Sequence, residues 1–325
     1  MIIAYVPGTT SVDRHELLPG QPLPAGSVWY DMVEPAPEER LLVERALSVE
    51  LPTRDEMAEI EPSSRLYSDG GAIFMTATII THAEGPNPTS DVMTFVLARG
   101  ALVTLRFVHP KPVATFSARI VRQPGLCASA DDAFLGLLES FIDRIADILE
   151  RVGLDLDVLS QEIFRDPAKE DGGKRQDLRA ALRTLGRNDD LTSTAAESLL
   201  SISRLLRYFS QSGETSTRKD LKARMKEMQN DLLWLRQHVD SEASKVNFLL
   251  DATLGLINIE QNAIIKIFSV AAVVFLPPTL VASVYGMNFE FMPELQSPLG
   301  YPLALLLMVV SAVLPYLYFK QKGWL

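Results

Sequence analysis

Read along the chain, apolar and polar positions change rhythm three times. Up to about residue 107 they come in short runs: 2–6, 27–32 and 71–82 read as strands, and 91–97 and 101–107, joined by Ala98-Arg99-Gly100, form a hairpin. Between them, 35–48 opens with Pro35 and acidic residues and carries Leu41, Leu42 and Ala46 at helical spacing, which predicts a helix. From residue 131 the rhythm is helical. Apolar residues recur every three or four positions over 131–164, Asp166-Pro167 and Gly172-Gly173 break the pattern, and a second helix follows over 174–209. Ser216 with Asp220 opens a third, in which Leu221, Met225, Met228, Leu232, Leu235 and Val239 step by four and three, the spacing of a seam packed on other helices. The seam resumes at Val246 and Leu249. No proline separates it from the apolar run that follows, so one helix of about 70 residues, roughly 100 Å long, is expected.

The third rhythm is continuous apolarity. Residues 267–287 contain no charged side chain, and at ~1.5 Å per residue they cross the ~30 Å hydrocarbon layer of a bilayer. A second run, 299–319, has the same character and ends at Lys320, Lys322 and Trp324. Lys266 precedes the first run, whereas the connecting stretch carries only Glu290 and Glu294, so both ends of this hairpin are expected on the cytoplasmic side. The reading is an α+β membrane protein: a cytoplasmic α/β domain over 1–130, a helical region with a long stalk helix over 131–265, and a two-span transmembrane pore domain over 266–325.

Composition narrows the chemistry. A formal charge of −10 argues against a nucleic-acid partner. The single cysteine, Cys127, excludes an internal disulfide framework, and four scattered histidines (His15, His82, His109 and His238) offer no spacing for a soft-metal site. The first 30 residues lack a secretory signal, so the large N-terminal part is expected in the cytoplasm. No Gly-rich phosphate loop and no nucleophile with a matched base occurs, which points away from an enzyme and from an organic cofactor. Ser63-Ser64-Arg65 and Asp131-Asp132 read as turn and helix-cap residues.

The candidate chemistry lies on one face of the long helix. Stepping back by threes and fours from its outer end gives Ser283, Thr279, Leu276, Ala272, Phe268, Ile265, Asn262, Asn258, Gly255 and Asp251. Hydroxyls lie near one end, apolar groups in the middle, two amides and a carboxylate at the other. One chain has too few spans to enclose a pore. Several copies bringing this face to a common axis would form a conduit with a hydrophobic constriction. The turn Gly286-Met287-Asn288 caps it, beside acidic Glu290 and Glu294, which would raise the local cation concentration. Pro277-Pro278 inside the span predicts a kink with freed carbonyls.

The runs Lys245-Val246-Asn247-Phe248-Leu249, Ile257-Asn258-Ile259-Glu260-Gln261-Asn262, Phe275-Leu276-Pro277-Pro278-Thr279-Leu280, Tyr285-Gly286-Met287-Asn288-Phe289 and Met292-Pro293-Glu294-Leu295 resemble the CorA magnesium transporters of bacteria. The resemblance is most specific from about residue 245 onward and weaker around Trp29-Tyr30-Asp31-Met32-Val33-Glu34-Pro35. It implies a homopentamer in the bilayer of the bacterial inner membrane, taking up Mg2+ with Co2+ and Ni2+ as further substrates. Gly286, Met287 and Asn288 would form the selectivity ring, Thr279 and Ser283 would line the pore, and Ile265, Phe268 and Leu276 would constrict it. Asn262 and Asp251 would lie toward the cytoplasm, and Asn288 and Asp251 would be the pore's metal-facing groups. Where some members carry methionine and leucine at the gate, this chain has Ile265 and Phe268. Regulatory Mg2+ sites in that family use acidic side chains, for which the stalk offers Glu227 and Asp231 and the domain offers Asp69, Glu84 and Asp91.

Two rivals stand beside this reading. A zinc-transporting relative shares the hairpin, but Met287 and the 292–295 run favour magnesium. A membrane-anchored coiled-coil scaffold that conducts nothing has no reason to keep Asn258, Asn262, Thr279, Ser283 and Asn288 in register.

Overall fold

The computed structural model describes the 325-residue chain except for residues 9–10, 19, 60, 86, 166–176, 213–217, 288–291, 294–296 and 323–325. Its first third builds a seven-stranded sheet: β1 (Ile2–Pro7), β2 (Val12–Leu17), β3 (Trp29–Val33), β4 (Leu66–Asp69), β5 (Ala72–Thr81), β6 (Thr89–Ala98) and β7 (Ala101–Arg106), in the order β2-β1-β3-β7-β6-β5-β4. The predicted hairpin is β6 and β7, with Ala98 opposite Ala101 and left-handed backbone at Arg99 and Gly100 making the turn. The pair at the middle, β3 and β7, is parallel, and the other neighbours are antiparallel.

Helices cover both faces. On one side α1 (Pro37–Leu47) and α2 (Arg54–Ala58) bring Val43, Leu47 and Met57 onto Ile2, Tyr30, Met32, Phe74 and Val103. α3 (Pro62–Arg65) is a single turn leading into β4. On the other side α4 (Lys111–Arg122) sets Phe116 against Trp29, which itself stacks on Tyr5 at 4.1 Å between ring centres. Next come α5 (Ala130–Ile163) and α6 (Leu178–Gln211), joined to the sheet by the ring series Phe95, Phe134 and Phe209. These side chains bury because β-strand residues alternate between faces, so each strand serves both helical layers.

Sequence and structure differ at the cap of α5. Ser129, and neither Asp131 nor Asp132, accepts from the Asp132 amide. Buried Asp132 instead meets Arg218 at 3.2 Å and Arg224 at 3.7 Å. Ser63-Ser64-Arg65 does form a turn, the single helical turn of α3.

Cys127 lies fully buried in a short 3-10 turn before α5. Burial first, then the charge of Asp132, pushes its thiol up to about 12. Reaction with a thiol reagent at pH 8 is therefore expected on the order of a thousandfold slower in the native protein than in the unfolded chain, because only the thiolate attacks. Stopped-flow labelling in and out of denaturant measures the ratio, and equal rates would show that the thiol is open to water.

α7 (Lys219–Tyr285) is one helix of 67 residues. Its seam is buried as the spacing predicts, at Leu221, Met225, Met228, Leu232, Val239, Val246 and Leu249, while Leu235 is half-buried. Ion pairs flank the seam: Arg224 meets Glu139 through two parallel bonds of 3.0 Å, and Lys245 Nζ lies 2.6 Å from Asp157. α8 (Gly300–Gln321) completes the chain. By contact the molecule falls into two units, Met1–Leu250 and Asp251–Leu325, and α7 contributes to both.

Candidate pore-lining face

Two helices, α7 and α8, are long and apolar enough to cross a membrane. Within the unit Asp251–Leu325 their exposed apolar side chains include Phe268, Phe275, Leu276, Leu303 and Leu314, each more than half exposed, which suits a lipid or protein environment far better than water.

α7 is two-sided here. Val270 is buried, and Ala271, Val274, Pro277, Pro278, Val281 and Tyr285 are half-buried. At 3.6 residues per turn these fall on one side. The other described element of this unit, α8, has Ala304 buried as well. The opposite side carries Asp251, Asn258, Asn262, Ile265, Phe268, Ala272, Leu276, Thr279 and Ser283, and every one is exposed. Over 270–285 a single chain thus covers one side of α7 and leaves the row from Ala272 to Ser283 open, whereas over 258–269 every residue of the helix is exposed.

The proline pair does not break α7. Helical geometry runs through Pro277 and Pro278, whose missing amides leave the carbonyls of Val273 and Val274 without their usual donors. The next residue, Thr279, donates its hydroxyl to the Phe275 carbonyl at 2.7 Å.

The helix ends where the motif begins. Gly286 N–H donates to Ala282 O at 3.0 Å and Met287 N–H to Val284 O at 3.3 Å. A Cβ at Gly286 would stand 3.1 Å from the Ala282 carbonyl, so a side chain there would push the turn away. Met287 is exposed. Asn288, Glu290 and Glu294 lie outside the described residues.

The regulatory candidates are dispersed. Glu227 and Asp231 are exposed on α7. Asp91 is half-buried on β6, its Oδ1 accepting from the Val92 amide at 2.7 Å. Glu84 is paired with Lys111 and Arg144. Among the described residues no group of three or more His, Cys, Asp or Glu is placed to hold a metal. Asp231 nevertheless acts on α5: the Asp143 carboxyl is raised above the ordinary range, first by burial and then by repulsion from Glu139, Asp147 and Asp231, with Arg119 opposing. Spacing within one helix does not expose such a relation, since it depends on which face of α5 meets α7.

Known proteins resemble this chain along its whole length. A family model described as CorA-like Mg2+ transporter protein matches residues 24–321. The chain is 37% identical over 325 residues, covering all of both chains, to the magnesium transport protein CorA of Escherichia coli K12, and equally to that of Yersinia pseudotuberculosis. The fold matches the complete structure of the CorA magnesium transporter from Methanocaldococcus jannaschii with a TM-score of 0.75, at 18% identity, over 100% of this chain and 99% of that one. With its mixed sheet, long helix and two apolar C-terminal helices, and with these matches along its whole length, the chain belongs to the CorA family of Mg2+ transporters.

Proposed function

We propose that this protein carries Mg2+ into a bacterial cell across the inner membrane, several copies surrounding one pore lined by the open row of α7. The observation that supports this is the two-sidedness of α7 over 270–285: the row from Ala272 to Ser283 stays exposed in the single chain while its reverse is covered, as needed if that row meets a shared axis. The names of relatives at 37% identity point to the same ion. Five copies, Co2+ and Ni2+ as further cargo, and cytoplasmic N- and C-termini complete the reading, with labour divided among a domain over 1–130, a stalk over 131–265 and a pore over 266–325.

Mg2+ binds water tightly, so a ring of neutral oxygens at Asn288 suits the hydrated ion, whereas carboxylates at the filter would hold it too long. Glu290 and Glu294 gather cations nearby. Rings of Leu276, Phe268 and Ile265 can close the path by dewetting, and Asn262, Asn258 and Asp251 receive the ion beyond them. The membrane potential drives entry at about 2.3 kcal/mol per charge per 100 mV, hence about 4.6 for a divalent cation. Cytoplasmic Mg2+ is the proposed regulator, acting on acidic faces to which Glu227, Asp231 and Asp91 belong. The repulsion felt by Asp143 is the kind of cost a bound cation would relieve. A zinc carrier or an inert scaffold is the less favoured reading.

The test is Mg2+ flux into proteoliposomes with an imposed inside-negative potential. Asn288→Ala is expected to lower flux at least tenfold while the protein still assembles. Equal flux in both would remove Asn288 from the filter, and absence of flux in the parent protein would overturn the transport reading itself.

A further inference from the structure

Where β5 and β7 end, the segment 82–85, the segment 107–110, the start of α4 and the flank of α5 enclose a cavity of about 500 Å3. Its size is that of a small-molecule site, typically ~300–1,000 Å3. Its position is also one where α/β sheets bind ligands: beyond the carboxyl end of a parallel strand, at the beginning of a helix.

The lining is cationic in a chain whose net charge is −10. Lys111 and Arg144 contribute permanent charges, and His82 and His109 add two imidazoles. Arg106 Nη1 lies 3.3 Å from His109 Nδ1. A guanidinium can only donate, so Nδ1 is the acceptor and Nε2 carries the ring proton, which gives the wall one more donor. No side chain caps α4 at Pro110, so the positive end of this helix adds to the same field.

A single carboxylate answers these charges. Glu84 Oε1 receives both Lys111 Nζ and Arg144 Nη2, the latter at 3.0 Å. One anion thus bridges two cations from separate elements, and no other acidic side chain lines the cavity among the described residues. Two cations sharing one carboxylate leave one positive charge over, which a further anion would balance. Phe107, half-buried with Arg54 5.1 Å above its ring centre, supplies an apolar wall beside the charged one.

We propose that this cavity binds a small phosphate-bearing anion, its phosphate taking the place of the Glu84 carboxylate between Lys111 and Arg144. The tetrahedral dianion offers more acceptor oxygens than the carboxylate it displaces, and it brings the second charge the lining lacks. Glu84 then acts as a tethered competitor that closes the site when the ligand leaves. The inference does not depend on the pore, because all its groups belong to the unit Met1–Leu250.

The experiment is calorimetric titration of the full-length protein in detergent, at constant ionic strength and with EDTA so that chelation of Mg2+ by nucleotide plays no part. Inorganic phosphate and ATP are the two probes. Saturable binding of either is expected; phosphate and ATP together identify the phosphate group alone as the ligand, and ATP alone identifies a nucleotide. Lys111→Gln is expected to weaken binding at least tenfold, and the exposure of Lys111 makes this change harmless to folding, which circular dichroism checks. Glu84→Gln is expected to tighten binding several-fold by removing the competitor. No saturable binding of either probe, binding indifferent to Lys111→Gln, or weaker binding in Glu84→Gln would each overturn the proposal.

Discussion

Asp31→Ala is expected to cost about 3–5 kcal/mol of stability, the largest loss foreseen for a single side chain in this protein. Asp31 is 1% exposed at the middle of the sheet and accepts three hydrogen bonds, two from Arg106 and one from Thr104. Arg106 donates to it twice, Nε to Oδ1 at 3.0 Å and Nη2 to Oδ2 at 2.8 Å. Thr104 Oγ1 donates at 2.8 Å and itself accepts from Trp29 Nε1 at 2.9 Å. The network joins β3 to β7 across the parallel pair, where 75 residues of chain separate the partners. Removing the carboxylate leaves a guanidinium that is 8% exposed without its counter-ion, and that orphaned charge is the main source of the cost. In a thermal melt of the detergent-solubilised protein the loss corresponds to a fall of very roughly 6–20 °C. The double change Asp31→Ala with Arg106→Leu should recover part of it, since both charges are then gone. A single mutant within about 1 °C of the parent would show that the network does not hold β3 to β7.

The second large effect has the opposite sign. In the α7 seam the residue between Val239 and Val246 is Glu242, a carboxylate at a position whose neighbours along the seam are apolar and buried. Glu242 is 7% exposed, and its Oε2 has no hydrogen-bond partner among the described residues. His238 Nε2 stands 3.6 Å from Oε1, too far for a good hydrogen bond. On α5, Gly153 makes the room: a Cβ there would lie 3.3 Å from Oε1. Glu242→Met keeps the length of the side chain and removes the charge, so it is expected to raise stability by about 1–3 kcal/mol. Thermal melts and Mg2+ flux measured together separate two outcomes. Higher stability with unchanged flux means that the acid is a tolerated defect, and higher stability with reduced flux means that the stalk must loosen here for transport. Lower stability would show that Glu242 has a partner in the assembled protein.

The elements read from sequence are those whose burial is dictated locally. The seam of α7, the apolar runs of α7 and α8 and the β6–β7 hairpin each carry a complete period in consecutive residues. Elements that lack a period escaped. β2 reads Val-Asp-Arg-His-Glu-Leu with only its ends buried, because it is an edge strand whose ladder to β1 supplies the stability. β4 is four residues long and half-exposed. α4 follows Pro110 and has Pro112 near its start, which reads as loop until Val113, Phe116 and Ile120 are seen to share the face packed on Trp29.

For the candidate pore the sequence by itself determined the row. A helix fixes which residues share a face, so Asp251, Asn258, Asn262, Thr279 and Ser283 align whatever surrounds them. Only the tertiary structure decided that over 270–285 the reverse of this helix is the covered side, that Glu242 interrupts a buried seam, and that Asp31 meets Arg106. The physical reason is common to all three: helical periodicity is a property of the backbone, whereas burial and ion pairing depend on which distant element arrives opposite. The cationic cavity belongs to this second kind. His82, Glu84, His109, Lys111 and Arg144 are polar residues spread over 63 positions with nothing in the sequence to relate them, until the ends of β5 and β7 bring them to one wall.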